Sequence, residues 1–184
     1  MYKISGGNKL IDVQLILDKA GVKSGMSVGD LGCGATGHFV FPASEMVGND
    51  GKVYAIDILR TILHNLNKRI KQENIKNIQT IWSDLEMFGA TKLEPNVLDI
   101  ALLVNTLYQS QKRTEVLRET VRLLKPGGKL VIVEWKNISL PFGPPLESRV
   151  EKENLKKAAP KLGLKLEEDF FAGSCHYGLI FTKL

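Results

Sequence analysis

The chain has 184 residues, 25 Lys and Arg against 20 Asp and Glu for a net charge of +5, and is 43% hydrophobic and 24% charged. Those values suit one folded domain and exclude a disordered, collagen-like or coiled-coil chain. No apolar run reaches the ~18 residues of a membrane span, the N-terminal MYKISGGNKLIDVQ lacks a signal-peptide pattern, and Cys33 and Cys175 are too few for a disulfide scaffold or a four-thiolate zinc site.

In chain order, the apolar period switches between helix and strand, as in an α/β protein. Residues 8–21 read as a helix ended by Gly21, and 26–31 as a strand running into a glycine-rich turn. A helix over 37–47 and a strand over 52–57 follow. Leu59, Ile62, Leu63, Leu66 and Ile70 then fall on one helical face. Strands at 78–82 and 97–104 are almost unbroken apolar runs, which suits parallel strands covered on both faces. A helix over 111–124 stops at Lys125-Pro126-Gly127-Gly128, and a strand over 129–135 follows. After the proline-rich SLPFGPPLE loop come a helix over 147–162 and strands over 164–171 and 175–183. Ala172-Gly173-Ser174 is too short for a crossover helix, so the last two strands must pair antiparallel or splay apart.

The expectation is a single α/β domain over 1–184, with a helical cap at 1–25 and a doubly wound seven-stranded mixed sheet at 26–184 ending in an antiparallel hairpin. It is expected to be cytoplasmic, with reduced thiols, no metal and no membrane association; a homodimer stays open. Arg113, Arg118 and Arg122 alternate with Glu115 and Glu119, which favours a solvated helix face over a nucleic-acid patch.

The turn Asp30-Leu31-Gly32-Cys33-Gly34-Ala35-Thr36-Gly37 leaves a strand and enters a helix. Glycines there let the backbone approach a ligand, and the following helix start offers free N–H donors. Gly32, Gly34 and Gly37 match G-x-G-x-x-G, a weak signal alone. Asp57 ends the second strand, where a carboxylate can hold a ribose diol, and Asp84 follows the third, within reach of an adenine-type amino group. Asp30 stands before the glycines, placed to brace the turn or to meet a cationic group. Three acids at the carboxyl ends of three successive strands mark the edge where open α/β sheets bind ligands.

These residues resemble the class I S-adenosylmethionine-dependent methyltransferases. The resemblance runs through Val28-Gly29-Asp30-Leu31-Gly32-Cys33-Gly34, Val53-Tyr54-Ala55-Ile56-Asp57, Ser83-Asp84, Leu98-Asp99-Ile100-Ala101 and Leu124-Lys125-Pro126-Gly127-Gly128-Lys129-Leu130. It implies S-adenosylmethionine as cofactor, with its methionine part against Asp30, Gly32, Cys33 and Gly34. It also implies Asp57 and Ile58 at the ribose, Ser83, Asp84 and Leu85 at the adenine, and Asn105 near the transferred methyl. The chain departs from the family at Gly29, where a hydrophobic residue is usual, and at Thr36, which replaces a third glycine and is expected to narrow the turn.

Asn105-Thr106-Leu107-Tyr108 lacks the two prolines of nucleic-acid amino-methyltransferases, and two cysteines are too few for arsenite methylation. The segment, with Val133-Glu134-Trp135, resembles the small-molecule branch akin to ubiquinone and menaquinone-biosynthesis methyltransferases. A small-molecule acceptor is therefore expected. RNA or protein acceptors, an NAD-dependent oxidoreductase and a non-catalytic cofactor-binding subunit are the alternatives. Tyr108 and His176 are the candidate catalytic side chains, His176 being read as more at home as a half-buried strand residue. Tyr2, Trp135, Phe142 and Tyr177 are further candidate acceptor contacts, Tyr177 and Trp135 being read as more at home in the core.

Overall fold

The computed structural model describes residues 10–184. Its strands are β1 (Ser27–Leu31), β2 (Lys52–Asp57), β3 (Ile78–Trp82), β4 (Leu98–Val104), β5 (Leu124–Trp135), β6 (Leu164–Phe171) and β7 (His176–Lys183). They form one sheet in the order β3-β2-β1-β4-β5-β7-β6. The first five run parallel, and β7 pairs antiparallel with both β5 and β6. Helices α1 (Val13–Ala20), α2 (Val40–Val47) and α3 (Arg60–Gln72) bury apolar residues against one face. On the other face lie α4 (Arg113–Leu123) and α5 (Lys152–Ala158). The order reverses at β1 and β4, so a crevice opens beyond their carboxyl ends. None of the described helices is long and apolar enough to cross a membrane.

The short apolar strands appear where the pattern places them, β2 and β3 residue for residue. Helix starts differ, and each has a local cause. The first helix begins at Val13 because the Asp12 carboxylate accepts the Leu15 N–H at 3.0 Å and caps it there; residues 8 and 9 lie outside the described residues. The second begins at Val40 rather than 37 because Gly34 and Gly37 take left-handed φ values of +65° and +59°. Leu59 is the extended residue before α3, not part of its buried face, and is 54% exposed.

Helix α4 stops one residue earlier than expected, and β5 begins at Leu124 rather than 129. Leu124 pairs with Leu98 and Lys129 with Ile100, so the Pro-Gly-Gly segment bulges out of an otherwise continuous strand. The long helix expected over 147–162 breaks into 3-10 turns at 146–148 and 159–162 with only α5 between them. Pro160 limits the helix downstream, and upstream Arg149 is extended, its guanidinium bonded to the carbonyls of Pro144, Lys136 and Ile138.

The expected solvated face of α4 is also corrected. Glu119 is fully buried: it accepts the N–H groups of Gly89 and Thr91 and pairs with Arg122, contacts that outweigh burial and hold it down at about 2. Arg122 also donates to the carbonyls of Thr91 and Leu93, and Arg113 to those of Leu107 and Ser148. These arginines tie loops to the helix, and the exposed pair is Arg118–Glu115.

Both departures in the glycine motif have packing causes. A Cβ at Gly29 would come within 2.6 Å of the Leu98 side chain. A Cβ at Gly37 would lie 2.8 Å from both Leu66 and Phe41, so Gly37 permits the close approach of turn and helix. Gly37→Ala is expected to lower stability by about 2–4 kcal/mol from overpacking and backbone strain. Urea unfolding checks this; an unchanged midpoint would mean that Leu66 and Phe41 move aside.

Candidate functional site

The site is built where β1, β2, β3 and β4 end together. The Gly32 and Cys33 N–H groups donate to the Ile56 carbonyl at 2.8 and 3.0 Å, which holds the turn after β1 against β2. Asp57 completes the clamp: one carboxylate oxygen accepts the Gly34 N–H at 3.1 Å and the other the Leu59 N–H at 2.9 Å. A carboxylate offers about four lone-pair directions, so each oxygen keeps one acceptor position for a ligand. The direction of a Cβ at Gly34 is open space.

Two cavities flank this turn and share Gly32, Gly34 and Gln109. The first, about 450 Å³, is lined by Asp57, Ile58, Ser83, Asp84 and Leu85, with Ile62, Glu86 and Thr106. The second, about 380 Å³, is lined by Asp30, Cys33, Asn105, Tyr108, Trp135 and His176, with His38, Phe39 and Thr36. All ten residues expected around the cofactor therefore line one cavity or the other. Ser83 contributes little through its side chain, because its hydroxyl is paired with that of Thr91 at 2.8 Å. Thr36 is exposed on the rim of the second cavity, and the glycine packing role has moved to Gly37.

Electrostatically the site is made for a cation. Among the described residues no donor reaches the Asp30 carboxylate; burial, with Asp57 beside it, pushes Asp30 up to about 7. Burial and the same two carboxylates push the Cys33 thiol up, which keeps it a neutral thiol. No Lys or Arg lines either cavity among the described residues. No group of three or more His, Cys, Asp and Glu there could hold a metal ion.

The second cavity also gathers polar atoms that the fold leaves unpaired. His38 Nε2, Asn105 Oδ1 and both ring nitrogens of His176 are buried without a partner among the described residues. An unsatisfied buried polar atom costs about 1–3 kcal/mol, so their convergence on one space marks a ligand. Asn105 is held at a left-handed φ of +53°, its N–H donating to the Val133 carbonyl at 2.8 Å. His176 is fully buried rather than half-buried, and its ring lies 4.3 Å from that of Trp135. Burial, with the nearby charges of Lys136 and Arg149, lowers it to about 4, so the imidazole is neutral at neutral pH.

The other candidate contacts divide. Tyr108 and Trp135 line the second cavity. Phe142 is 46% exposed and sits edge-on against Trp135, behind the cavity wall rather than on it. Tyr177 is core: its hydroxyl donates to the Val150 carbonyl at 2.7 Å. Tyr2 lies outside the described residues. Sequence reasoning missed His38, Thr106 and Gln109. His38 follows Gly37 directly in the glycine turn, and that adjacency was its one available signal.

Comparison with known proteins points the same way. A methyltransferase-domain family model matches residues 22–176. The demethylmenaquinone methyltransferase of Lactococcus lactis is 33% identical over 126 residues, 68% of this chain and 48% of that protein. The ubiquinone/menaquinone biosynthesis C-methyltransferase of Francisella tularensis subsp. novicida is 30% identical over 152 residues, 82% of this chain and 58% of that protein. The chain thus spans about half the length of these curated relatives. The crystal structure of a SAM-dependent methyltransferase from Aquifex aeolicus superposes with a TM-score of 0.89 at 26% identity, covering 98% of this chain and 94% of that one.

Proposed function

The chain belongs to the methyltransferase-domain family, and from that footing we propose that it transfers a methyl group from S-adenosylmethionine to an uncharged small molecule held in the second cavity, with the ring carbon of a quinol as the acceptor atom. The residues present fit this cofactor. Asp30 is a buried carboxylate that no donor reaches among the described residues, suited to the methionyl ammonium, and the spare acceptor positions of Asp57 suit the ribose hydroxyls. Asp84, its Oδ1 bonded to the Glu86 N–H at 2.9 Å, stands with Leu85 at the far end of the first cavity, where the adenine would lie.

S-Adenosylmethionine supplies a methyl group already activated on a sulfonium sulfur. The chain's own task is alignment and the exclusion of water, which can lower a barrier by about 7–11 kcal/mol. Trp135 and Phe39 give the second cavity flat apolar walls, and Asn105, His38 and His176 offer it polar atoms with no other partner among the described residues. A neutral His176 nitrogen can accept a hydrogen bond from an acceptor hydroxyl and so orient the ring toward the methyl group.

The observation that carries the reading is this lining: unpaired neutral polar atoms among aromatic walls, with no Lys or Arg among the described residues. A nucleic-acid acceptor would call for phosphate-neutralising cations there. The quinol class is supported by the names of the relatives. Incubation with S-adenosylmethionine and a reduced naphthoquinone lacking its ring methyl is expected to yield the ring-methylated quinol and S-adenosylhomocysteine in equal amounts. Tight S-adenosylhomocysteine binding without quinol methylation would overturn the acceptor and leave the cofactor standing.

A further inference from the structure

The 3-10 turn Leu107–Gln109 follows β4 and brings Asn105, Tyr108 and Gln109 to the cavities. Its own flanking residue does not cap it: the Thr106 hydroxyl is spent on the Leu31 carbonyl, 2.9 Å away. The cap comes from another strand. Glu134 on β5 is fully buried, and its Oε1 accepts the Leu107 N–H at 2.7 Å and the Tyr108 N–H at 3.4 Å. Its Oε2 is the one buried unpaired side-chain atom among the described residues that does not belong to a residue lining the second cavity.

A buried carboxylate with a free oxygen is costly, and a core of this kind would be better filled by a neutral side chain unless the charge has a use. We propose that Glu134 is a positioning residue: its carboxylate fixes the 105–109 turn in the shape that both cavities require, although it touches neither of them. This rests on the methyltransferase reading of the site. Charge-assisted N–H bonds are shorter and stronger than neutral ones, which explains a carboxylate rather than an amide at this position. The groups facing it are the Arg113 guanidinium and the hydroxyls of Tyr108 and Tyr177, the last being its register partner on β7. Burial outweighs the N–H bonds and Arg113 and pushes Glu134 up to about 7, so the carboxylate grip strengthens as pH rises through neutrality.

The test compares the full chain with Glu134→Gln and Glu134→Ala by amide-exchange protection at Leu107 and Tyr108 and by S-adenosylhomocysteine affinity. At pH ~8, Glu134→Gln should lower protection about tenfold and weaken binding about fivefold. At pH ~5.5, where the wild-type carboxyl is also neutral, the two proteins should agree within about twofold. Asp30 titrates in both, so the difference between them isolates Glu134. Glu134→Ala should lose more at either pH, and if it does not fold, Glu134→Gln still decides. Wild-type protection and affinity in Glu134→Gln at pH ~8, even with a lowered melting temperature, would overturn the proposal. If the wild-type chain binds no S-adenosylhomocysteine, the cofactor reading fails by itself and the exchange data alone judge Glu134.

Discussion

Asp57→Ala is expected to weaken S-adenosylhomocysteine binding by about 100-fold, or roughly 2.7 kcal/mol. The carboxylate serves two ends at once. On the protein side it holds the Gly34 and Leu59 N–H groups, which binds the glycine turn to the start of α3. On the ligand side its remaining lone pairs are placed for the ribose diol. Hydrogen bonds to a charged group contribute about 1.5–3 kcal/mol each, so losing the ligand bonds and loosening the turn together accounts for the expected size. Asp57→Asn separates the two effects: its single carbonyl oxygen can keep one N–H bond but not both, and an intermediate loss of about tenfold is expected. Isothermal titration of both variants measures this. Unchanged affinity in Asp57→Ala would remove the ribose from this position.

The second large effect has opposite signs on stability and binding. Asp30→Asn is expected to raise the stability of the ligand-free protein at pH ~8 by roughly 2 kcal/mol and to weaken S-adenosylhomocysteine binding at least about tenfold. Burial, reinforced by Asp57, raises Asp30 in the folded chain from 3.8 to about 7. The unfolded chain gives up this proton near pH ~4, so between pH ~4 and ~7 the native state holds more protons and stability falls as pH rises. The amide variant escapes that fall. Its advantage is full above pH ~7 and gone near pH ~4. Binding of a ligand ammonium favours the carboxylate, so wild-type affinity should climb with pH up to about 7 and then level off, and Asp30→Asn should keep only the roughly fivefold part of that rise that Glu134 supplies. Melting curves at several pH values and titrations over the same range measure both. A variant less stable than wild type at pH ~8 would mean that the carboxylate is satisfied in the native protein and is no open seat for a cation.

Much of the frame was legible before any fold was known. The apolar run of β2 was legible to the residue, because a parallel strand buried on both faces leaves a nearly unbroken signal. β3 also falls on its expected residues, but as the edge strand it buries only Ile81 and is not covered on both faces as its sequence suggested. The ten residues expected around the cofactor gather at the two cavities, because strand ends and glycines lie in a local order that the sheet topology carries to one edge. Helix starts were less legible. Two left-handed glycines delay α2, and the extended Arg149, held by carbonyls five to thirteen residues away, delays α5. The alternation of Arg and Glu on α4 looked like a solvated face because charge spacing alone cannot show that Glu119 meets two loop N–H groups from 28 and 30 positions away.

The sequence by itself determined the α/β architecture, the terminal antiparallel hairpin, the glycine turn and the acids that follow the strands. These follow from apolar period, turn chemistry and chain order, which act over a few residues. Only the tertiary structure decided which polar groups remain unpaired and which residues hold others in place. Asn105 points an unsatisfied oxygen into enclosed space, His176 is fully buried and stays neutral, and Glu134 caps a turn 27 residues away. The reason is physical: a hydrogen bond or a desolvation cost depends on what surrounds a group once the chain has closed around it, and that enclosure is built from residues that the linear order keeps far apart.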